Sequence, residues 1–584
     1  MKAFLKNILS TIIGIISTVL IITLLFIGLI SIISSDTEVK IKENSILQID
    51  LANTTVVERS SENPFEGFNI SGKIAKTIEL RTLLNNIEKA KYDNNISAIY
   101  LNSSVIKAGL SQTEEVRNKL LEFKKIGKPI IAYSEVYSQS AYYLASVANK
   151  IYLNPVGIVE LKGFSISQMF FKGLLEKLDI DVQIIRHGKF KSAIEPFTLD
   201  KMSRANREQM QLLLNSFADN IMDSIANQRG LSLSKIYEHA NNLSLEDAKS
   251  CLKLNYVDAL LYEDQVEDSL LIISNSKKLN FISIKKYSSI KLKNEEISRN
   301  KIAIIYATGT IKSGEGDEKS IGSKTTSKAI KEAREDKNVK AIVLRINSGG
   351  GSALASDIIW RETVLTKKSN KPIVVSMGDY AASGGYYIAC AADSIVANPT
   401  TLTGSIGVFG MVPNLQDFYK NKLGITIDTV NTNNSADMMQ QNRPLTNFER
   451  KKIQKGVEGI YNTFIANVSE GRKMSTEAVD EIGQGRVWTG YDAKSIGLID
   501  TYGGIEKAIE IAKSLAEIKD YRIISLPKSK DPFSEFAKEL KAEISTSNLI
   551  MRKIGFQSPL SDPIEEIIKA DKIQARIPFM MKLK

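Results

Sequence analysis

Asn370-Lys-Pro-Ile-Val-Val-Ser-Met-Gly-Asp-Tyr-Ala-Ala-Ser383-Gly384-Gly385-Tyr-Tyr-Ile-Ala-Cys390 has an altered echo earlier in the chain. Gly127-Lys-Pro-Ile-Ile-Ala-Tyr133 is followed by Tyr142-Tyr-Leu-Ala-Ser-Val-Ala-Asn-Lys-Ile-Tyr-Leu-Asn-Pro155, and the later copy likewise runs on from Tyr386 to Asn398-Pro399. Both copies keep Lys-Pro-Ile, Tyr-Tyr and Asn-Pro at nearly constant spacing. Upstream, Ser97-Ala-Ile-Tyr-Leu-Asn102 matches Lys340-Ala-Ile-Val-Leu-Arg345; downstream, Lys177-Leu-Asp-Ile-Asp181 matches Lys422-Leu-Gly-Ile-Thr426. The chain reads as a tandem duplication of roughly 240 to 250 residues per unit, joined near Lys293–Asn300. In each unit short β-branched runs alternate with helical patterns, which predicts an α/β fold of parallel strands joined by right-handed helical crossovers. Within the opening stretch, Pro372–Val375 predicts a buried strand, Gly378–Tyr380 a turn, and Ala381–Ala392 a helix. The segment Arg204–Asn227 has apolar residues at helical spacing, which suits either packing between units or a plain surface helix.

With 584 residues, two or more domains are expected. The net charge of +11 arises from 77 basic against 66 acidic side chains spread along the sequence. No Arg-rich stripe or aromatic-interleaved basic patch accompanies it, so nucleic acid is not an expected partner, whereas anionic lipid suits a diffuse basic surface. Cys251 and Cys390 form neither a metal-ligand spacing nor a disulfide framework, and His187 and His239 are too few for a His-rich metal site. Lys2 and Lys6 precede an apolar segment, Ile8–Ile33, that ends at Ser34, Ser35 and Asp36. Its length predicts a retained signal anchor, with cleavage near Ser34 or Ser35 as the alternative. The leading positive charge places the amino terminus in the cytoplasm and the body outside the membrane. The expected division is 1–36 for stub and anchor, 37–295 and 296–530 for the two halves, and 531–584 for a tail.

The two halves differ where chemistry is expected. After its strand the second half has Asn347-Ser-Gly349-Gly350-Gly351-Ser352 entering a helix at Ala353; the first has Asn102-Ser-Ser-Val-Ile-Lys107. Consecutive glycines let a backbone approach a ligand and offer N–H groups, or form a flexible turn. Ser383, at the start of a helix, suits a nucleophile or an ordinary N-cap. Its first-half counterpart is Gln139 or Ser140, without the glycine pair. The first half instead carries Arg186-His187-Gly188-Lys189-Phe190-Lys191-Ser-Ala-Ile-Glu-Pro-Phe197, while the matching Asn431–Met439 has no lysine or histidine. A serine nucleophile needs a base. Of the histidines, His239 lies in a polar helical stretch. A desolvated lysine supplies a neutral amine, and Lys191, among Phe190, Ala193, Ile194 and Phe197, has the more apolar setting than Lys189.

Over nearly its whole length the chain resembles the long form of the signal peptide peptidase A (protease IV) family. The resemblance rests on the anchor, the duplication, Lys191-Ser-Ala-Ile-Glu-Pro-Phe197, Tyr380-Ala-Ala-Ser-Gly-Gly-Tyr386 and Asn398-Pro-Thr-Thr-Leu-Thr-Gly-Ser-Ile-Gly407. It implies crotonase/Clp-protease-like β-β-α superhelix halves and a Ser–Lys dyad split between them: Ser383 as nucleophile, Lys191 as general base. It further implies an oxyanion site at Gly384 with Gly350 or Gly351, Ser405 orienting the lysine, and a membrane-associated homotetramer cleaving remnant signal peptides without metal or cofactor. Gly349 stands where the family usually has proline. A crotonase-like acyl-CoA enzyme and an inactive membrane scaffold are the rival readings.

Overall fold

The computed structural model describes residues 41–60, 76–290, 298–528 and 573–577, with scattered positions between 6 and 21. The anchor expected at Ile8–Ile33 lies largely outside them. Among the described residues no helix is long and apolar enough to cross a membrane.

The first half builds a parallel sheet from β1 (Ser45–Ile49), β2 (Ile96–Asn102), β3 (Ile130–Tyr137) and β4 (Lys150–Val159), with helix α1 (Leu110–Lys125) after β2 and α2 (Gln139–Ala145) after β3. Strand β5 (Asp181–Arg186) leaves that sheet, and the long helix α3 (Arg204–Arg229) follows. Strands β6 (Ala259–Leu260) and β7 (Phe281–Ser283) then close its two edges, giving the order β6-β4-β3-β2-β1-β7.

The second half repeats the plan. Strands β8 (Lys301–Thr308), β9 (Thr310–Lys312), β10 (Ser320–Gly322), β11 (Val339–Ser348) and β12 (Gly350–Ser352) precede helix α4 (Ala353–Lys368). Then come β13 (Ile373–Ala382), α5 (Gly384–Ala389), β14 (Ser394–Ala397), β15 (Leu402–Gly404), β16 (Phe409–Asn414), α6 (Asn447–Arg472), β17 (Val487–Thr489), α7 (Ile505–Leu515) and β18 (Arg522–Leu526). The core order β13-β11-β8-β18 matches β3-β2-β1-β7 strand for strand, so the duplication in sequence is a duplication in topology.

Why the halves pack is written in the period-2 alternation of β8. Ile302, Ile304 and Tyr306 face a core shared with first-half residues, including Leu83 and Val116, whereas Ala303, Ile305 and Ala307 face the second half's own core. A buried polar clamp reinforces the contact. Arg345 of β11 donates to Glu58 at 2.7 Å and to Glu115 of α1 at 2.8 Å, and Asp379 of β13 accepts from the Ser111 N–H in the first turn of α1 at 2.8 Å. A carboxylate at a helix N-terminus satisfies an otherwise unpaired N–H and meets the positive end of the dipole. Burial still raises Asp379, to about 6, with the Glu58 charge adding to it.

A third sheet joins the halves covalently distant in sequence. Its order is β10-β9-β12-β19-β16-β5, where β19 is Ile573–Arg576. First-half β5 pairs antiparallel with second-half β16 from Asp181↔Asn414 to Arg186↔Phe409. The halves therefore interlock rather than meet as separate bodies, and Ile573–Arg576, within the tail expected at 531–584, supplies a central strand.

One local expectation is corrected. The turn read at Gly378–Tyr380 is absent: β13 continues to Ala382 because Tyr380, Ala381 and Ala382 pair with Leu402, Thr403 and Gly404 of β15. The helix then starts at Gly384. Long-range pairing overrides the local turn signal.

Candidate active site

Strand β13 ends and helix α5 begins at Ser383, whose backbone is held at φ 56°, ψ −114°. Left-handed backbone at a non-glycine residue is uncommon, and such strain concentrates at functional sites. Its own N–H is spent on the Gly404 carbonyl at 2.7 Å. Although Ser383 stands at the N-cap position, its side chain caps nothing. Instead the hydroxyl meets Lys191, with Nζ to Oγ at 2.7 Å.

Lys191 is delivered by β5. Once that strand is zipped onto β16, the following turn carries the chain beneath Gln484–Gly485, where Phe190 N–H donates to the Gln484 carbonyl at 2.9 Å. Two glycines clear space for the lysine stem. A Cβ at Gly485 would lie 2.7 Å from Lys191 Cα, and one at Gly407 would lie 3.3 Å from its Cδ. Glu195 pins the next turn, accepting from Ser203 Oγ at 2.6 Å and Asn206 Nδ2 at 2.9 Å at the start of α3. Lys191, Ser383 and Ser405 are each 0% exposed.

Burial alone holds the Lys191 amine well below its ordinary value of 10.5. Desolvation penalises the ammonium, and none of the ion pairs among the described residues includes this lysine, so nothing restores the charge. Its remaining contacts are neutral: Nζ lies 3.0 Å from Ser405 Oγ and 3.2 Å from the Ser405 carbonyl oxygen. Ser405, also left-handed at φ 50°, thus holds the amine at two points. Lys189, by contrast, is exposed.

Both histidines are engaged elsewhere. The His187 ring lies 4.0 Å from the Tyr461 ring, and His239 Nδ1 is 3.0 Å from the Tyr256 hydroxyl.

Around Ser383 the glycine run is positioned by β12. The Gly384 N–H opens α5, where it has no intrahelical partner. Gly350 N–H donates to Ser348 Oγ at 3.1 Å. Of the two alternatives in the run, Gly350 thus has its N–H taken by a side chain, whereas Gly351 pairs with Ala575 of β19. Gly350 serves by close approach: at φ +101°, a Cβ there would lie 2.8 Å from Gly384 N and 2.1 Å from the Ala575 carbonyl oxygen.

In the first half, alignment on Tyr142 and Tyr386, whose hydroxyls both bond backbone carbonyls, sets Gln139 opposite Ser383. Its carboxamide oxygen accepts from the N–H groups of Lys162 and Gly163, so a structural hydrogen bond stands where the second half has a hydroxyl. Sequence reasoning missed Gly485, the Arg345 clamp and the tail strand; only the position of Glu195 within the lysine motif was in view.

A serine hydroxyl bonded to a desolvated lysine, at the start of a helix and beside a glycine run, is equipped for acyl transfer, the chemistry of serine hydrolases. Comparison with known proteins specifies which. Residues 122–275 and 366–519, one stretch in each half, match the model of peptidase family S49. "Protease 4" of Salmonella typhi is 37% identical over 78% of this chain and 75% of its own length. "Serine protease SPPA, chloroplastic" of Arabidopsis thaliana is 34% identical over 86% of this chain and 75% of its own. "Protease 4" of Haemophilus influenzae is 36% identical over 74% and 72% respectively. The chain belongs to peptidase family S49 and is a serine protease.

Proposed function

We propose that Ser383 is the nucleophile and Lys191 the general base of an endopeptidase acting on extended peptides with small and apolar side chains. Neutral Lys191 takes the Ser383 proton as Oγ attacks the peptide carbonyl carbon. The Gly384 and Gly351 N–H groups receive the oxyanion, and Ser405 keeps the amine aimed at Oγ. Lys191 then returns the proton to the departing amine and draws one from the water that releases the acyl group. The observation that carries this reading is the 2.7 Å contact between a fully buried lysine and a fully buried serine. A neutral amine placed on the serine favours hydrolysis over the thioester-binding alternative, which needs no base there.

The apolar segment Ile8–Ile33 and the basic balance of the chain support an anchored enzyme at the extracytoplasmic face of a bacterial membrane, with the amino terminus inside. Remnant signal peptides are its substrates in this reading, and a homotetramer its working form. Both members of the dyad come from one chain, so the chemistry itself needs no second copy.

The test is hydrolysis of a short apolar peptide ester. Ser383→Ala and Lys191→Ala each remove nearly all activity with folding intact, while His187→Ala retains it. Activity that survives Lys191→Ala but vanishes in His187→Ala would assign the base to the histidine.

A further inference from the structure

The turn 483–486, between the short helix Thr476–Ile482 and β17, touches both Lys191 and Ser405. On the lysine side, the Gln484 carbonyl accepts from the Phe190 N–H at 2.9 Å, and a Cβ on Gly485 would stand 2.7 Å from the Lys191 Cα. On the serine side, the Arg486 carbonyl accepts from the Ser405 N–H at 2.6 Å and the Gly485 carbonyl from Ser405 Oγ at 3.3 Å. The Gly485 N–H donates to the Ile406 carbonyl at 2.7 Å. One turn is therefore the surface on which the amine and the residue aiming it are both placed.

Its backbone is strained. Gln484 has φ 51° and Gly485 φ +83°, two left-handed residues in succession, the first of them with a side chain. Such backbone persists only where its surroundings fix it. One anchor comes from outside the site, from Tyr461 of α6, which is 1% exposed. Its hydroxyl accepts from the Gln484 N–H at 3.2 Å and donates to the Asp480 carboxylate. A phenol can do both because it carries one proton and two lone pairs. Burial, with the Asp480 hydrogen bond adding to it, raises the phenol above its ordinary value, so the proton stays on Tyr461. Asp480 also grips the turn directly, its backbone carbonyl accepting from the Gly483 N–H at 3.1 Å.

The internal duplication sets this arrangement apart from ordinary core packing. Helices α3 and α6 match end to end, which puts Ala218 opposite Tyr461. The N-cap serines of the helices that follow, Ser232 and Ser475, put Tyr237 opposite Asp480. The first half, with Gln139 where the nucleophile would stand, has neither group at its place.

We propose that Tyr461 is a positioning residue for the general base: its hydrogen bonds to Gln484 and Asp480 fix the turn, and the turn holds the Lys191 amine on Ser383 Oγ. This rests on the reading of Ser383 and Lys191 given above. Tyr461 reaches no reacting atom, so its contribution lies in the placement of the amine during proton transfer and not in peptide binding.

The test uses the full-length protein and the apolar peptide ester. Tyr461→Phe keeps the ring, with its 4.0 Å approach to the His187 ring, and removes only the hydroxyl. It should lower kcat about tenfold to a hundredfold with KM little changed, the scale of a misplaced catalytic group. Asp480→Asn keeps an oxygen that accepts from the phenol and should retain most of kcat, whereas Asp480→Leu should fall as far as Tyr461→Phe. The double variant Tyr461→Phe/Asp480→Leu should be no slower than either single variant, since both act through one turn. Rates are referred to the folded fraction measured by urea unfolding. An unchanged kcat in Tyr461→Phe, a rise in KM that accounts for the loss, or a loss that vanishes per folded molecule overturns the proposal. Equal losses in Asp480→Asn and Asp480→Leu also overturn it, by assigning the effect to the charge. Activity that survives Lys191→Ala would instead overturn the Ser–Lys reading.

Discussion

Replacing Lys191 by Met should abolish activity and stabilise the fold at neutral pH, and the second effect should fade as pH rises. Methionine has a similar length and fits the channel left by Gly485 and Gly407, but carries no ionisable group. In the wild type the unfolded lysine holds its proton up to its ordinary value of 10.5, while burial makes the folded lysine release it far lower. Between those two values the unfolded chain binds more protons, so wild-type stability rises with pH across that window. Each pH unit in the window is worth about 1.4 kcal/mol. A lysine that gives up its proton early in the fold therefore costs stability at every pH below the unfolded value, and the cost grows with each unit spent inside the window. Against this stand the amine's hydrogen bonds to Ser383 and Ser405, whose loss costs about 1–2 kcal/mol because both hydroxyls keep a carbonyl partner, at Gly407 and Gly485. The gain for Lys191→Met is thus largest at the acid end of the window and turns to a small loss, the worth of those hydrogen bonds, near the unfolded pKa. Urea unfolding of both proteins at several pH values measures it, and the pH at which the difference levels off reads the folded pKa. The ascending limb of the wild-type kcat/KM profile should fall at that same pH. A stability difference that does not change with pH would refute the reasoning, because the lysine would then titrate in the fold as it does in the unfolded chain.

Ser405→Ala removes one of the two contacts that aim the amine, so kcat should fall about fivefold to tenfold, the worth of one hydrogen bond, with KM little changed. Arg345→Met leaves Glu58 and Glu115 buried without their cation and should destabilise the protein by about 3–5 kcal/mol, read by urea unfolding. Gly350→Ala strains a left-handed backbone and drives a methyl group against the Gly384 nitrogen beside Ser383, so ester hydrolysis should fall about tenfold or more.

Much of the molecule was legible in the sequence because repetition is a comparison the chain carries within itself. The matched Lys-Pro-Ile, Tyr-Tyr and Asn-Pro signals predicted two like α/β units, and the topology repeats strand for strand. Where the copies disagree, the site stood out: a serine before two glycines in one half, a lysine among apolar residues in the other. What local pattern could not show was any feature made by pairing across long sequence separations. The strand continuing through Gly378–Tyr380 depends on β15, and the engagement of the Gly350 N–H depends on a single hydroxyl, Ser348.

By itself, then, the sequence determined the duplicated architecture and the residue types that a serine peptidase requires, since periodicity and motif are properties of neighbours along the chain. Tertiary structure decided whether those residues meet. Lys191 and Ser383 are brought to 2.7 Å only because β5 adds to a sheet of the other half, and the amine is held below its ordinary pKa because that docking buries it. The tail shows the same division most clearly. Ile573–Ile577 carries no motif, and its place between β12 and β16 follows from backbone hydrogen bonding, which any sequence of suitable side chains can make and none announces.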